Sequence, residues 1–246
     1  MKKLWILTLL LGFCCVFSAN LVAAEAKKPF DGVTLKGWKP VDPNIESKWI
    51  VGRASLDKDN DRAIAAQTLL KQDKKFVEGD LINFVEANWT EEPRGGVDLR
   101  TEEVYGDCVV EIEFMVSKGS NSGVYLMGEY EVQVADSFGK RGNMSQGDLG
   151  AIYSAAAPKE NAALAPGEWQ KYVIDFQAPK FDASGNKTQK AKFIKVTLNG
   201  KVVHENVEVE GSTGGGVTGK EVAKGPLMLQ GNHGPVAYRN IKITEK

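Results

Sequence analysis

Two histidines are all that this sequence holds, and that scarcity limits the chemistry open to it. His204 and His233 cannot make a three-histidine zinc site, and neither stands in a His-Glu-x-x-His motif. His233 lies in Gln230-Gly-Asn-His-Gly-Pro, a glycine-flanked segment between two apolar runs. Such loops are where rigid scaffolds present reactive side chains, although the same letters also describe a plain turn. His204 follows Asn199-Gly200, and counting back across that turn sets it opposite Lys195 on a face shared with Thr197. It is therefore expected to face solvent in a structural role.

The second group with chemical content is Tyr130-Glu-Val-Gln-Val-Ala-Asp-Ser137. Glu131 and Gln133 alternate with Val132 and Val134, and Asp136 and Ser137 follow at the strand end. Together with Glu111 and Glu113 they suggest a polar sheet face, which reads equally as a solvated exterior or as a carbohydrate-binding concavity.

Other motifs fail when tested. Gly214-Gly-Gly-Val-Thr-Gly219 matches the dinucleotide fingerprint, but no helical periodicity follows before Pro226, so it reads as a loop. Asp57, Asp59 and Asp61 open like a calcium loop, yet Arg62 stands where glycine is required and Thr68 where the closing glutamate belongs. Asn88-Trp-Thr90, Asn143-Met-Ser145 and Asn186-Lys-Thr188 are glycosylation sequons, which matter only in a eukaryotic source. Cys108 sits in an apolar run and is expected to be a buried small hydrophobe.

The elements that must position these residues are strands. Val110, Ile112, Phe114 and Val116 alternate with Val109, Glu111, Glu113 and Met115, the period of a half-buried strand. Gly123 to Met127 and Tyr130 to Val134 flank Gly128-Glu129 as a hairpin, and Asn199-Gly200 supplies the two positive φ values of a type I′ turn. Gly225 to Gln230 and Val236 to Ile243 complete the pattern, with no βαβ alternation anywhere. The expected fold is all-β, an antiparallel two-sheet sandwich of jelly-roll type. Ala63 to Leu70 reads as a helical turn or insertion, and Lys180 to Gln189 as a polar excursion.

Composition agrees with a globular chain. Of 246 residues, 31 are Lys or Arg and 32 are Asp or Glu, so the net charge of −1 argues against a nucleic-acid partner. Lys2 and Lys3, the apolar stretch Leu4 to Phe17 and small residues near Ala24 make residues 1–24 a secretory signal. Its apolar core is too short for a membrane span. Cleavage takes Cys14 and Cys15, so no intrachain disulfide is expected, and residues 25–246 fit one exported, periplasmic or extracellular domain.

The ordered set Phe30-Asp-Gly-Val-Thr-Leu-Lys-Gly-Trp38, Asn121-Ser-Gly-Val-Tyr125, Tyr130 to Ser137, Gly150-Ala-Ile-Tyr153, Pro166-Gly-Glu-Trp169, Leu198-Asn-Gly200 and Gly225-Pro-Leu-Met-Leu-Gln-Gly-Asn-His-Gly-Pro-Val-Ala-Tyr-Arg-Asn-Ile241 resembles the 3-keto-disaccharide hydrolase family. Members are also described as 3-keto-glucoside 1,2-lyases or 3-keto-2-hydroxyglucal hydratases on a concanavalin- or laminin-G-like sandwich. The resemblance implies a carbohydrate substrate, removal of a C2 proton and β-elimination at C1, with rehydration giving net hydrolysis. It makes Glu131 and His233 the candidates for base and acid, in either order. Asn121, Gln133, Asp136, Tyr153, Gln230 and Arg239 become candidates for sugar contacts. No cofactor is implied, and a divalent metal stays open. Two departures stand out: Met127 occupies a position that is Arg in many relatives, and Cys108 one that is commonly aromatic. Two other readings compete, a carbohydrate-binding module without turnover and an ordinary glycosidase using Glu111 and Glu113.

Overall fold

The computed structural model describes residues 25–67, 78–85 and 95–246. The expected leader, the end of the Ala63–Leu70 segment and the Asn88 sequon lie outside the described residues. Those residues contain no helix; they form two large sheets, paired antiparallel throughout. The first holds, in spatial order, β1 (Trp38–Pro40), β5 (Leu99–Tyr105), β14 (Gly225–Leu229), β7 (Asn121–Leu126) and β8 (Tyr130–Ala135). The second runs β13 (Lys201–Val209), β12 (Ala191–Leu198), β9 (Gln170–Gln177), β6 (Cys108–Val116), β15 (Val236–Glu245), β4 (Asp80–Asn83), β2 (Trp49–Leu56) and β3 (Ile64–Gln67). A small hairpin of β10 (Lys180–Phe181) and β11 (Lys187–Gln189) fills the polar excursion, and Ile64 to Gln67 is a strand rather than a helical turn.

The two sheets pack into the expected sandwich because their alternating residues share an apolar face. Val110, Ile112, Phe114 and Val116 of β6 are fully buried, and Tyr130 of β8 meets Phe176 of β9 across the sandwich at 5.4 Å between ring centroids. Phe176 continues to Phe193 at 5.1 Å, while Phe114 stacks on Tyr172 at 4.8 Å. Each ring taken out of water contributes about 1.5–3 kcal/mol, so this row is a large part of what holds the sheets together. On the outer face of β6, Glu111 pairs with Lys171 and Glu113 with Arg239, but Met115 is covered. There β3 turns back from β2 and packs Ile64 with Ile82, Met115 and Ala237 in a second, smaller core. Cys108 is free and buried, and burial pushes its thiol up to about 12.

Three local readings change. Asn199 and Gly200 do take φ values of 52° and 81°, but a bulge at Val196/Thr197 shifts the pairing beyond the turn. His204 consequently lies opposite Val196, is buried rather than solvent-facing, and pairs through Nε2 with the carbonyl of Gly150 at 2.8 Å. Burial lowers the affinity of that imidazole for a proton. Secondly, the β7–β8 turn spans Met127, Gly128 and Glu129, not two residues, with Met127 at φ 54° and Gly128 at φ 69°. Met127 packs in the core. Thirdly, Glu111 and Glu113 belong to the eight-stranded sheet and Glu131 and Gln133 to the five-stranded one, so they do not share a face.

The acidic turn is a local cap: Asp57 Oδ1 accepts the amides of Asp59 and Asn60, and Asp61 pairs with Lys118. Among the described residues no three His, Cys, Asp or Glu side chains cluster as metal ligands, and no helix is long and apolar enough to cross a membrane.

Candidate active site

Strand alternation on β7 and β8 builds one wall of a cavity of about 220 Å³ lined by Asn121, Tyr125, Glu131, Gln133, Tyr153, Gly214, Gly215, Gln230 and His233. Because the connecting turn has three residues, Tyr125 lies opposite Glu131 and Gly123 opposite Gln133. A two-residue turn would have set Leu126 against Glu131 and buried the wrong pair. Gly123 is needed between them: a Cβ there would lie 2.2 Å from Glu131 Oε1 and 2.8 Å from the Tyr125 ring. Glycine thus leaves the Glu131 carboxyl room to lie over the strand.

The other walls come from distant segments. Residues 150–153 add to the free edge of β8, with the Gln133 amide donating to Ala151 at 2.9 Å and the Tyr153 amide to Glu131 at 3.1 Å. That pairing brings the Tyr153 side chain, still 39% exposed, to the rim. The glycine loop closes another side. Thr213 Oγ1 accepts the Glu131 amide at 2.9 Å, and the Glu129 carboxylate accepts the amides of Thr218 and Gly219 and the Thr218 hydroxyl. At Gly215 a Cβ would come within 2.8 Å of the Tyr125 hydroxyl, so the absence of a side chain lets the loop reach the cavity.

His233 is carried by a loop held through the backbone on both sides of it, at Gln230, Gly231, Gly234 and Pro235. Asn83 Nδ2 donates to the carbonyls of Gly231 and Gly234 at 3.0 Å each, and Asp98 Oδ1 accepts the Gly231 amide at 2.8 Å. Ser120 donates to the Pro235 carbonyl, Ser122 to that of Gln230, and the Gln230 amide bonds Gly123. His233 Nδ1 lies against Asn232 Oδ1. A Cβ at Gly231 would meet the Val97 carbonyl at 2.2 Å and Trp49 Nε1 at 2.6 Å. Gly231→Ala is therefore expected to destabilise the protein by about 1–3 kcal/mol, as overpacking does, and to move the His233 ring resonances. Denaturant unfolding and NMR check this; an unchanged midpoint with unmoved resonances would mean that the loop has slack.

Burial decides the electrostatics. The Glu131 carboxyl is pushed up to about 8 chiefly by desolvation, with the negative charge of Asp98 adding to the rise and a hydrogen bond from Tyr125 opposing it. Tyr125 is raised well above the ordinary phenol range by burial and by Glu131, so it keeps its proton, and its oxygen accepts from Gln230 Nε2 at 3.2 Å. Gln230, Tyr125 and Glu131 thus form a hydrogen-bonded chain along the floor. Gln133 Nε2 donates to the Gly147 carbonyl at 3.2 Å, which fixes the orientation of the amide and leaves Oε1 without a donor among the described residues.

Of the candidates read from sequence, Glu131, His233, Asn121, Gln133, Tyr153 and Gln230 come together in this cavity. Asp136 and Arg239 do not. Asp136 caps turns by accepting the amides of Gly119 and Phe138. Arg239 sits on β15 in the other sheet, where it pairs with Glu113 at 2.7 Å and lies 3.9 Å over the Trp169 ring. Met127 is likewise absent from the lining. Sequence reasoning missed Tyr125, Gly214, Gly215 and Asp98. Tyr125 was within reach of period 2 from Gly123, but only the true turn length aligns it with Glu131.

Residues 25–244 match a family model described as the 3-keto-alpha-glucoside-1,2-lyase-like domain. A crystal structure from Parabacteroides distasonis, described provisionally as a glycosyl hydrolase, is 27% identical with a TM-score of 0.61, covering 90% of this chain and 84% of that one. A second from the same organism, under the same description, is 15% identical with a TM-score of 0.55, covering 90% and 94%, and shares the fold. Among curated proteins none matches the chain.

Proposed function

This chain belongs to the 3-keto-alpha-glucoside-1,2-lyase-like family, and from that premise we propose that it cleaves 3-keto-glycosides by elimination, with rehydration completing a net hydrolysis. The observation that carries the reading is one cavity, about 220 Å³ and scaled to a single sugar ring, in which Glu131 from β8 and His233 from a distant loop stand together. In a 3-keto-glycoside the carbonyl acidifies the C2 proton. A base takes that proton, the C2–H electron pair becomes the C1–C2 double bond through an enolate, and the C1–O bond breaks as the leaving oxygen receives a proton. Adding water across the double bond then returns a 3-keto sugar.

The electrostatics favour one assignment of the two roles. A carboxyl pushed up to about 8 holds its proton at neutral pH, so Glu131 is the acid for the leaving oxygen and His233 the base for C2. The second N–H of the Gln230 amide is the donor available to the oxygen that gathers enolate charge, and Tyr125, kept protonated by burial, would join it by turning its hydroxyl from Glu131. Gln133, Asn121 and Tyr153 hold the ring. The Parabacteroides relative, described provisionally as a glycosyl hydrolase, favours a glycoside as substrate. A conventional two-carboxylate glycosidase is less well supported: Glu131 is the only carboxylate lining the cavity among the described residues, and Glu111 and Glu113 are engaged by Lys171 and Arg239 on the far sheet. Export through the leader at residues 1–24 is part of the same proposal.

Paired assays test it. Purified protein is expected to release the aglycone from a 3-keto-glucoside and to leave the unoxidised glucoside intact. Cleavage of both at similar rates would point to ordinary glycosidase chemistry, and binding without release to a carbohydrate-binding module.

A further inference from the structure

The mechanism does not use Asp98, a partly buried acid bonded to the loop that carries His233. It stands just before β5, and its alternation with Arg100, which pairs across to Met228 and on to Tyr125 and Glu131, sets it on the cavity face of the five-stranded sheet. Its side chain accepts the Gly231 amide at 2.8 Å, and its own carbonyl accepts the Val41 amide at 2.8 Å, so the acid is pinned to the scaffold at one end and to the His233 loop at the other.

We propose that Asp98 is a positioning residue of this site: its carboxylate anchors the loop that carries His233, and as a negative charge on the same sheet face as Glu131 it favours that carboxyl in its protonated form. The significance of that form as a proton donor rests on the function proposed above; the anchoring and the charge coupling do not. The groups whose hold on a proton this charge strengthens are Tyr125 on β7, Glu131 on β8 and Tyr238 on β15; the nearest charged side chain on its own segment is Arg100, and His233 stands in the loop it holds. Asp98 itself is pushed up to about 6 by burial against the Gly231 hydrogen bond. At neutral pH it is therefore mostly ionised and able to exert the effect.

Two substitutions separate the roles. Asp98→Asn keeps an oxygen that can accept the Gly231 amide and removes the charge; Asp98→Ala removes both. The readout is the titration of the Glu131 side-chain carboxyl by 13C NMR, assigned with Glu131→Gln, together with the His233 ring resonances. In Asp98→Asn the Glu131 midpoint is expected to fall by about half a pH unit or more, with the His233 resonances in place. In Asp98→Ala those resonances are expected to move as well. In turnover of a 3-keto-glucoside, Asp98→Asn should shift the high-pH limb of kcat to lower pH with little change in KM. An unmoved Glu131 midpoint in Asp98→Asn would overturn the coupling, and unmoved His233 resonances in Asp98→Ala the anchoring. A shifted midpoint in a protein that turns over no 3-keto-glycoside would uphold the Asp98 inference and reject the proposed function.

Discussion

Glu131→Gln and His233→Ala are each expected to lower turnover of a 3-keto-glucoside by about 100-fold or more, the usual contribution of a positioned general acid or base. Neither should disturb the fold, because Gln is isosteric with a carboxyl that burial already favours in its neutral form, and His233 lies on a loop held by other residues. Glu131→Gln should be the more discriminating of the two. If Glu131 donates to the leaving oxygen, an aglycone with a low pKa needs little protonation, so activated substrates should regain much of the lost rate. His233→Ala should show no such rescue, since C2–H cleavage precedes or accompanies every departure. Deuterium at C2 provides the companion measurement. Elimination must exchange that deuterium with solvent, and a primary isotope effect should appear where proton removal limits the rate. Retained C2 deuterium with near-normal rates in both variants would count against elimination and against these assignments.

The same Glu131→Gln substitution is expected to stabilise the protein in alkali. An unfolded chain ionises this carboxyl near 4.5, whereas burial holds it in the folded state to about 8. Below pH 4.5 both states carry the proton and Glu131 imposes no penalty. As pH rises through the interval, the unfolded state releases its proton first, and folding stability falls until the folded group also ionises. The full penalty above pH 8 corresponds to about 3–5 kcal/mol. Gln cannot ionise, so urea unfolding should find the variant close to wild type at pH 4 and more stable by that order at pH 9. Equal stabilities at pH 9 would mean that the carboxyl is better solvated than its surroundings indicate. A variant both less active and more stable is the pattern expected where a site holds a group that the fold would rather not bury.

Much of the scaffold was legible because it depends on local sterics. The alternation of Val110, Ile112, Phe114 and Val116 does face the core, and Asn199-Gly200 does form the positive-φ turn. Errors arose where one residue changes a register. The bulge at Val196/Thr197 moved His204 from the solvent face to the interior, and Met127 in the left-handed region lengthened the β7–β8 turn by one. Neither is marked by a distinctive letter. Met127 takes a positive φ for which methionine has no preference of its own, and the core packing around it selects that conformation.

What the sequence by itself determined was therefore the period-2 strands, the antiparallel sandwich, the family, and two separate polar groups worth attention, Glu131 with Gln133 and the segment around His233. These follow from neighbours along the chain, where side-chain alternation and turn chemistry operate. The tertiary structure decided which of them meet. It set Glu111 and Glu113 on one sheet and Glu131 on the other, removed Arg239 to an outer face with Glu113 and Trp169, and brought Tyr125, Gly215 and the His233 loop around one cavity. It also decided the protonation of Glu131, since desolvation and the charge of Asp98 act through space. Register, enclosure and the local dielectric are properties of the packed sheets, and residues separated by a hundred positions acquire them only when the chain is folded.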